Sequence, residues 1–207
     1  MANLLSYALT SVSDVKESLG IASSDTTKDN LITRKINQAT RAMEAYCGRR
    51  FLSTAYTNEY YSATQIDELV LRQSPVTSFT SLDIRDSGLN YDNWETIDSK
   101  LYFVDNNSGV VKLMFQALGR WDRYRITYTA GYATIPEDLA EACASLAAYY
   151  VKFADGSHIG LSEKREGQRQ MMYGRQNIQL NFKNIMAQLG LDEVINSYAN
   201  FPILNDR

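Results

Sequence analysis

The single histidine, His158, stands beside Ser157, and this pair is the closest the chain comes to a nucleophile with its base. Adjacency alone does not build a catalytic triad, which also needs a third group to orient the imidazole and donors to receive the oxyanion. Cys47 and Cys143 are the only cysteines. Two thiols and one imidazole, scattered along the chain, fall short of the four closely spaced ligands of a Cys/His zinc site. Carboxylates approach each other at Asp83 and Asp86 and again at Glu137 and Asp138. Paired carboxylates suit hydrolysis when one serves as acid and the other as base. The first pair, however, borders an expected turn and the second a helix start, where carboxylates already have structural uses. No Gly-Lys-Ser/Thr phosphate loop, dinucleotide-binding glycine fingerprint or His-Glu-x-x-His string occurs. The residues therefore point away from an enzyme, with no catalytic residue, cofactor or metal expected. Metal-dependent hydrolysis through Asp83 or Glu137 ranks third among the function classes.

Two other groups of residues suit binding. Lys164, Arg165, Arg169 and Arg175 outnumber Glu163 and Glu166 within a polar stretch, 156–177, that also holds Gly160, Gly167 and Gly174. That stretch reads as a long flexible loop. A solvated face is its plain reading, and contact with DNA or a protein partner is the sharper one. Fourteen tyrosines, including Tyr60-Tyr61 and Tyr149-Tyr150, form the second group. Adjacent rings on a strand point to opposite faces, one into the core and one toward a possible partner. Outward tyrosines suit subunit interfaces because they combine apolar area with a polar tip.

The elements that must carry these side chains follow from local signals. Ser11 with Asp14 predicts a capped helix over 11–20, with Val12, Val15 and Leu19 on one face and Gly20 as its stop. A second helix, about 26–47, starts near Thr26 with Asp29 at the same capping spacing. Leu31 or Ile32, Ile36, Ala39, Met43 and Tyr46 or Cys47 form its apolar stripe, and Gly48 ends it. Arg49 and Arg50 then complement the helix dipole, a plainer role than phosphate contact. Between about 52 and 132 the pattern turns to period two. Strands are expected near 54–61, 69–72, 78–84, 101–104, 110–114 and 123–129, with turns at Asp86-Ser87-Gly88 and Asn106-Asn107-Ser108-Gly109. Pro136 opens a third helix, 136–155, carrying Leu139, Cys143, Leu146, Tyr150 and Phe153 on one stripe. Cys47 and Cys143 both fall on apolar stripes and read as free, buried filler where the long helices pack. A last helical segment, 178–207, carries Ile178, Phe182, Ile185 and Leu189, then Leu191, Val194, Ile195 and Tyr198 after Gly190.

The fold class expected is α+β: two N-terminal helices packed with a third long one, an antiparallel β-rich insertion and a C-terminal helical extension. A single α+β domain spans 1–155. Composition agrees with an ordered globular chain, since 207 residues with 44% hydrophobic and 22% charged content lie near the average. A formal charge of −3 supplies no general attraction to DNA phosphates. No apolar run approaches the length needed to cross a bilayer, and the N-terminus lacks a secretory pattern, so assembly in the cytoplasm away from membranes is expected.

Four strings in order then resemble the head-to-tail connector (adaptor) family of tailed bacteriophages, in its longer form with a β-rich insertion. LTSVSDVKESLGI, residues 9–21, is similar to the family's opening helix, and ATRAMEAYCGRRF, residues 39–51, to the end of its second. Residues 69–82, LVLRQSPVTSFTSL, resemble its strand, proline and strand. Ile126-Thr-Tyr-Thr-Ala-Gly-Tyr132 with Ile135-Pro136-Glu-Asp-Leu139 resembles its junction between strand and third helix. Gly48, Gly131 and Pro136 within these strings also have local reasons: a helix stop, a sharp turn and a helix start.

The resemblance implies a structural virion protein at the neck, a homo-oligomeric ring of commonly twelve subunits. Such a ring sits beneath the portal protein, meets a stopper or tail-completion protein, and lets DNA pass without sequence-specific binding. It also implies that the C-terminal segment docks on the portal, which makes Phe182, Ile185, Leu189 and Ile195 candidate contacts. Another neck component, a stopper or tail-completion protein, is the nearest alternative. A nucleic-acid-binding module using the basic loop and surface tyrosines is the alternative from another class.

Overall fold

A computed structural model describes residues 2–62, 67–85, 93–115, 123–154, 163–166, 169–172 and 182–199. The chain divides into two compact units, one formed by 1–48 and 136–207 and the other by 49–135. The expected α+β class is what the structure has, with the antiparallel part inserted between helical parts.

In the helical unit, α1 (Val12–Leu19) opens with the predicted capping box. The Ser11 hydroxyl accepts the amide of Asp14, and the Asp14 carboxylate accepts the amide of Ser11. Gly20 closes the helix in the left-handed conformation, where a side chain would strain the backbone. The start of α2 (Asp29–Cys47) differs from the Thr26 reading: its N-cap is Lys28, with no side-chain cap. Asp29 is drawn instead to the buried Lys16, 2.7 Å away. Lys16 also donates to the Ser23 carbonyl, so its ammonium is paired rather than abandoned in the interior. Of the alternatives on the α2 stripe, Ile32 and Cys47 face inward and join Ile36, Ala39 and Met43.

Helix α3 (Glu137–Ala154) packs on α1 and α2 through Leu139, Cys143, Leu146 and Val151. Phe153, expected on the same stripe, is exposed. Val151 is buried near the end of the helix, whereas Phe153, which shares its angular position with the buried Ala142 and Leu146, lies one residue from the helix end. Two short helices, α4 (Phe182–Gln188) and α5 (Asp192–Ser197), follow.

The β-rich unit begins with β1 (Thr54–Tyr61), β2 (Glu68–Val70) and β3 (Val76–Arg85). It continues through β4 (Trp94–Thr96), β5 (Tyr102–Asp105), β6 (Val110–Leu113) and β7 (Tyr124–Ala130). They form two antiparallel sheets, ordered β1-β7-β3-β4 and β2-β6-β5. One apolar core serves both, including Leu69, Val111 and Leu113 from the smaller sheet and Leu82, Tyr124, Ile126 and Tyr128 from the larger. The alternation read in β7 is complete: Tyr124, Ile126, Tyr128 and Ala130 are buried and the residues between them are not.

Strand β1 breaks simple alternation. Its register shifts between Tyr56 and Glu59, with Asn58 at a positive φ of 56°. Asparagine tolerates that conformation better than most side chains, and such a bulge reverses the faces beyond it. Tyr56 stacks inward on Tyr128, and after the bulge Glu59 and Tyr61 point inward while Tyr60 is exposed. The predicted β5–β6 turn is present, tied by Asp105, which accepts the Asn107 amide and the Ser108 hydroxyl. Asp86-Ser87-Gly88 lies outside the described residues.

The stretch read as a flexible loop, 156–177, contains an antiparallel hairpin of β8 (Glu163–Glu166) and β9 (Arg169–Met172). Its highly polar composition hides the strand pattern, which the backbone pairing reveals; the remainder of the stretch lies outside the described residues.

Gly131, with φ of 109°, shows the tightest backbone approach. A Cβ there would lie 2.8 Å from the Phe51 carbonyl oxygen and 2.9 Å from the carbonyl carbon and oxygen of Leu52. Gly20, also at positive φ, has nothing within 4 Å of such an atom. Gly131→Ala is therefore expected to cost about 2–3 kcal/mol, against about 1 kcal/mol for Gly20→Ala, in urea unfolding. Equal losses in the two variants would show that crowding at Gly131 contributes nothing.

Candidate functional site

The side chains first considered for chemistry are committed to architecture. Asp83 is buried and accepts two hydrogen bonds from Arg125, from Nε at 3.0 Å and Nη2 at 2.7 Å, and a third from the Thr96 hydroxyl at 2.8 Å. It bridges β3, β7 and β4. Asp138 caps its own helix start through the Leu139 amide and accepts the Tyr198 hydroxyl at 2.8 and 2.9 Å, tying α3 to the chain after α5. Glu137 lies beside it in the first turn of α3. Asp86, Ser157 and His158 lie outside the described residues. Among the described residues, no group of three or more metal-ligating side chains gathers.

Both cysteines are free and buried. Cys143 approaches the Thr40 hydroxyl at 3.7 Å, and Cys47 donates toward the Ile195 carbonyl at 3.6 Å. Burial pushes the Cys143 thiol up to about 12, so it is no nucleophile at neutral pH. Among the described residues, no helix is long and apolar enough to cross a membrane.

The binding candidates separate into distinct places. Ile185 and Ile195 are buried within the helical unit, while Phe182 and Leu189 are half-buried. Phe182 packs against Tyr46, with ring centroids 5.0 Å apart, and the Tyr46 hydroxyl donates to Asn196 at 2.8 Å. Lys164, Arg165 and Arg169 lie on the β8–β9 hairpin; Arg175 and Ile178 lie outside the described residues. Arg49 places its guanidinium 5.6 Å from the rings of both Phe51 and Tyr132, and the Arg50 amide donates to Gln73. These two arginines are thus tied to the start of the β-rich unit.

Sequence reasoning missed a cluster on the outer face of the larger sheet. Trp94, on the unexpected strand β4, lies 4.7 Å from the guanidinium carbons of both Arg85 and Arg125 and 5.7 Å from the ring of Tyr60. Register brings them together: Arg85 pairs with Trp94, and Tyr60 with Arg125. Three-residue β4 is too short to declare itself by periodicity, although a Trp within the polar run Asp92-Asn93-Trp94-Glu95-Thr96 was a usable signal. Tyrosine, tryptophan and arginine are the side chains that most often dominate protein interfaces.

On the inner face, Glu59 accepts the hydroxyls of Tyr61 at 2.6 Å and Tyr128 at 2.9 Å, and Tyr61 accepts the Arg72 amide at 3.2 Å. Burial pushes the Tyr61 phenol up to about 12 and raises that of Tyr128 as well.

Tyr60, Trp94, Arg85 and Arg125 thus share the outer face of the larger sheet, while Asp83, Glu59 and Asp138 and the two thiols are engaged in holding elements together. A family model described as head completion protein matches residues 8–159. The chain belongs to the head completion protein family. Among curated proteins, no relative matches the chain. Solved structures share its fold. A chain in the neck of a native gene transfer agent particle, computed with C12 symmetry, is 19% identical, with 100% of this chain and 99% of that one covered at a TM-score of 0.56. A chain in the neck of the empty particle, computed with C6 symmetry, is 17% identical, with coverage of 100% and 99% and a TM-score of 0.54. A third, in the virion of the native particle, is 18% identical, with coverage of 98% and 95% and a TM-score of 0.57.

The tyrosine network makes a pH prediction. Tyr61 and Tyr128 hold their protons more tightly folded than unfolded, so their contribution to stability is complete below about pH 10. That contribution is lost as pH rises toward 12. Ultraviolet titration of the folded chain should leave at least two of its fourteen tyrosines, Tyr61 and Tyr128, un-ionised after the main rise near pH 10. Ionisation of all fourteen in that rise, with native circular dichroism retained, would contradict the network.

Proposed function

We propose that this chain is the head-to-tail adaptor of its particle, a ring beneath the portal that joins the DNA-filled head to the stopper or tail and continues the DNA channel. The observation that carries the reading is the family match across residues 8–159, which takes in the whole β-rich unit and the part of the helical unit formed by α1, α2 and α3. Full-length likeness to chains in necks computed with sixfold and twelvefold symmetry supports a rotationally repeated arrangement of about twelve copies.

The physical mechanism is assembly. A heterologous contact repeated around an axis closes into a ring when its rotation divides the circle. The closed ring then meets the portal through many simultaneous contacts, so individually weak contacts give strong attachment. A formal charge of −3 suits a channel that DNA must traverse without being gripped. In this reading Phe182 and Leu189 are the accessible part of the portal-docking segment. Ile185 and Ile195, buried in the same unit, shape that segment from beneath. The basic residues of the β8–β9 hairpin, together with Arg175, are candidate contacts to DNA or a neck partner. No catalytic step enters.

Electron microscopy of the purified chain mixed with purified portal rings tests this. The expected result is added annular density on one side of the portal, with about twelve repeats. Portal rings that stay bare at saturating concentrations of folded chain would overturn the adaptor reading.

A further inference from the structure

We propose that Arg85 and Arg123, opposed on the outer face of the larger sheet, form a site for a carboxylate carried by a protein partner. Register places them: Ile84 pairs with Tyr124, and one residue further the Arg85 amide donates to the Arg123 carbonyl at 2.9 Å. Tyr124 points into the core, so Arg123 and Arg125 on either side of it share the other face. Residues directly opposite in an antiparallel pair have Cβ atoms about 4.5–5.5 Å apart, and like charges there are destabilising. The pair weakens the sheet that carries it.

Burial sharpens the conflict. Arg123 is only 9% exposed, and the Nε atoms of Arg85 and Arg123 are both shut off from solvent without a hydrogen-bond partner. Among the described residues, no carboxylate pairs with either guanidinium. Asp83, on the same face, is already taken by Nε and Nη2 of Arg125 and by the Thr96 hydroxyl. Arg125 thus has the fork-to-carboxylate contact that its two neighbours lack. Trp94 lies 4.7 Å from the Arg85 guanidinium carbon, and such a cation–π contact uses the flat face of the group and none of its N–H donors. A carboxylate bridging Arg85 and Arg123 turns their repulsion into shared attraction and satisfies both buried donors.

A guanidinium fork also fits phosphate, so the surroundings decide the source. Sequence-independent hold on duplex DNA sums many phosphate contacts, about six to ten, made by projecting cations. Here the uncommitted cations are two, and their Nε atoms are recessed. The rim is aromatic, with Tyr60 44% exposed and its ring 5.7 Å from that of Trp94. Such rings stack on bases only where those are unpaired. Arginine, tryptophan and tyrosine around a desolvated charged contact are instead the composition of a protein interface at its strongest point. The occupant is an Asp or Glu side chain of a protein, flanked by apolar residues that cover the rings.

The test uses the full chain with Trp121→Phe, which leaves Trp94 as its sole tryptophan, and follows Trp94 emission during titration. The probes are a capped peptide alternating glutamate with leucine, its glutamine counterpart, and single- and double-stranded oligodeoxynucleotides. Saturable change with the glutamate peptide is expected, at least tenfold weaker with the glutamine one. Arg85→Met and Arg123→Met, which keep the side-chain stem, should each weaken binding at least tenfold while the urea midpoint holds or rises, because the like-charge opposition is relieved. A lowered midpoint would make these arginines structural and overturn the site. Silence from the glutamate peptide up to about 10 mM would do the same, as would tighter binding of either oligonucleotide. Asp86, Asp92 and Asp122 lie outside the described residues; peptide binding that emerges only when all three are changed to Asn would show the chain's own carboxylates in the site, and would also overturn it. The readout needs no ring, so its failure leaves the adaptor reading untouched.

Discussion

Leaving a buried phenol without a hydrogen-bond partner costs about 1–3 kcal/mol, and the β-rich unit buries Tyr61, Tyr124 and Tyr128. Tyr61 and Tyr128 are both almost wholly buried, yet Glu59 accepts from both hydroxyls and the Arg72 amide donates to Tyr61. This arrangement requires Glu59 and Tyr61 to point inward, which strict alternation from Tyr56 would forbid. The bulge at Asn58 resolves the conflict by reversing the faces of β1 between Tyr56 and Glu59. Much of the unit follows from that one irregularity. Tyr56 can stack on Tyr128, the network can link β1 and β7 to the backbone just after β2, and Tyr60 is sent outward toward Trp94.

Features set by local chemistry were legible in the sequence, and features set by distant partners were not. Ser11 with Asp14 bounds α1, Gly20 and Gly48 end helices, and the β7 alternation appears without error because each signal lies within a few residues. The Thr26 start of α2 misleads because Asp29, seemingly placed for a cap, has a stronger claim from Lys16 on another element. Phe153 misleads because it shares the buried face with Ala142 and Leu146 but lies at the very end of α3, where periodicity does not say whether a neighbour covers it. Strand β4 and the β8–β9 hairpin are too short or too polar to show a period. The tyrosine pair at 60–61 has one ring inward and one outward, as strand alternation predicts for adjacent residues. Its partners Trp94, Arg85 and Arg125 come from three strands brought together by pairing, which no local window reports. The helical pair Tyr149-Tyr150 differs: both rings are half-buried, with centroids 6.2 Å apart, because strand alternation does not apply on α3.

The helical unit illustrates how an interior can use reactive residue types without chemistry. Cys47 and Cys143 act as small apolar filler, and Asp138 joins α3 to the segment after α5 through Tyr198. The C-terminal helices bury Ile185, Met186 and Ile195 inside this unit. Their apolar spacing reads equally well as a docking face for another protein, since periodicity reveals that a stripe will be covered and not by what.

A protein that works by assembly leaves its evidence on surfaces, and the β-rich unit has two outer faces of unlike character. One carries Tyr60, Trp94, Arg85 and Arg125 on the four-stranded sheet; the other carries Val70, Leu101, Phe103 and Met114 on the three-stranded sheet. The shared core explains how one short insertion can present both. Each sheet spends its inward row on the common interior, and its outward row is then free to differ. In β1 the bulge that satisfies Glu59 and Tyr61 inside also sets which tyrosine faces outside, so the demands of the core and the composition of one surface are fixed together.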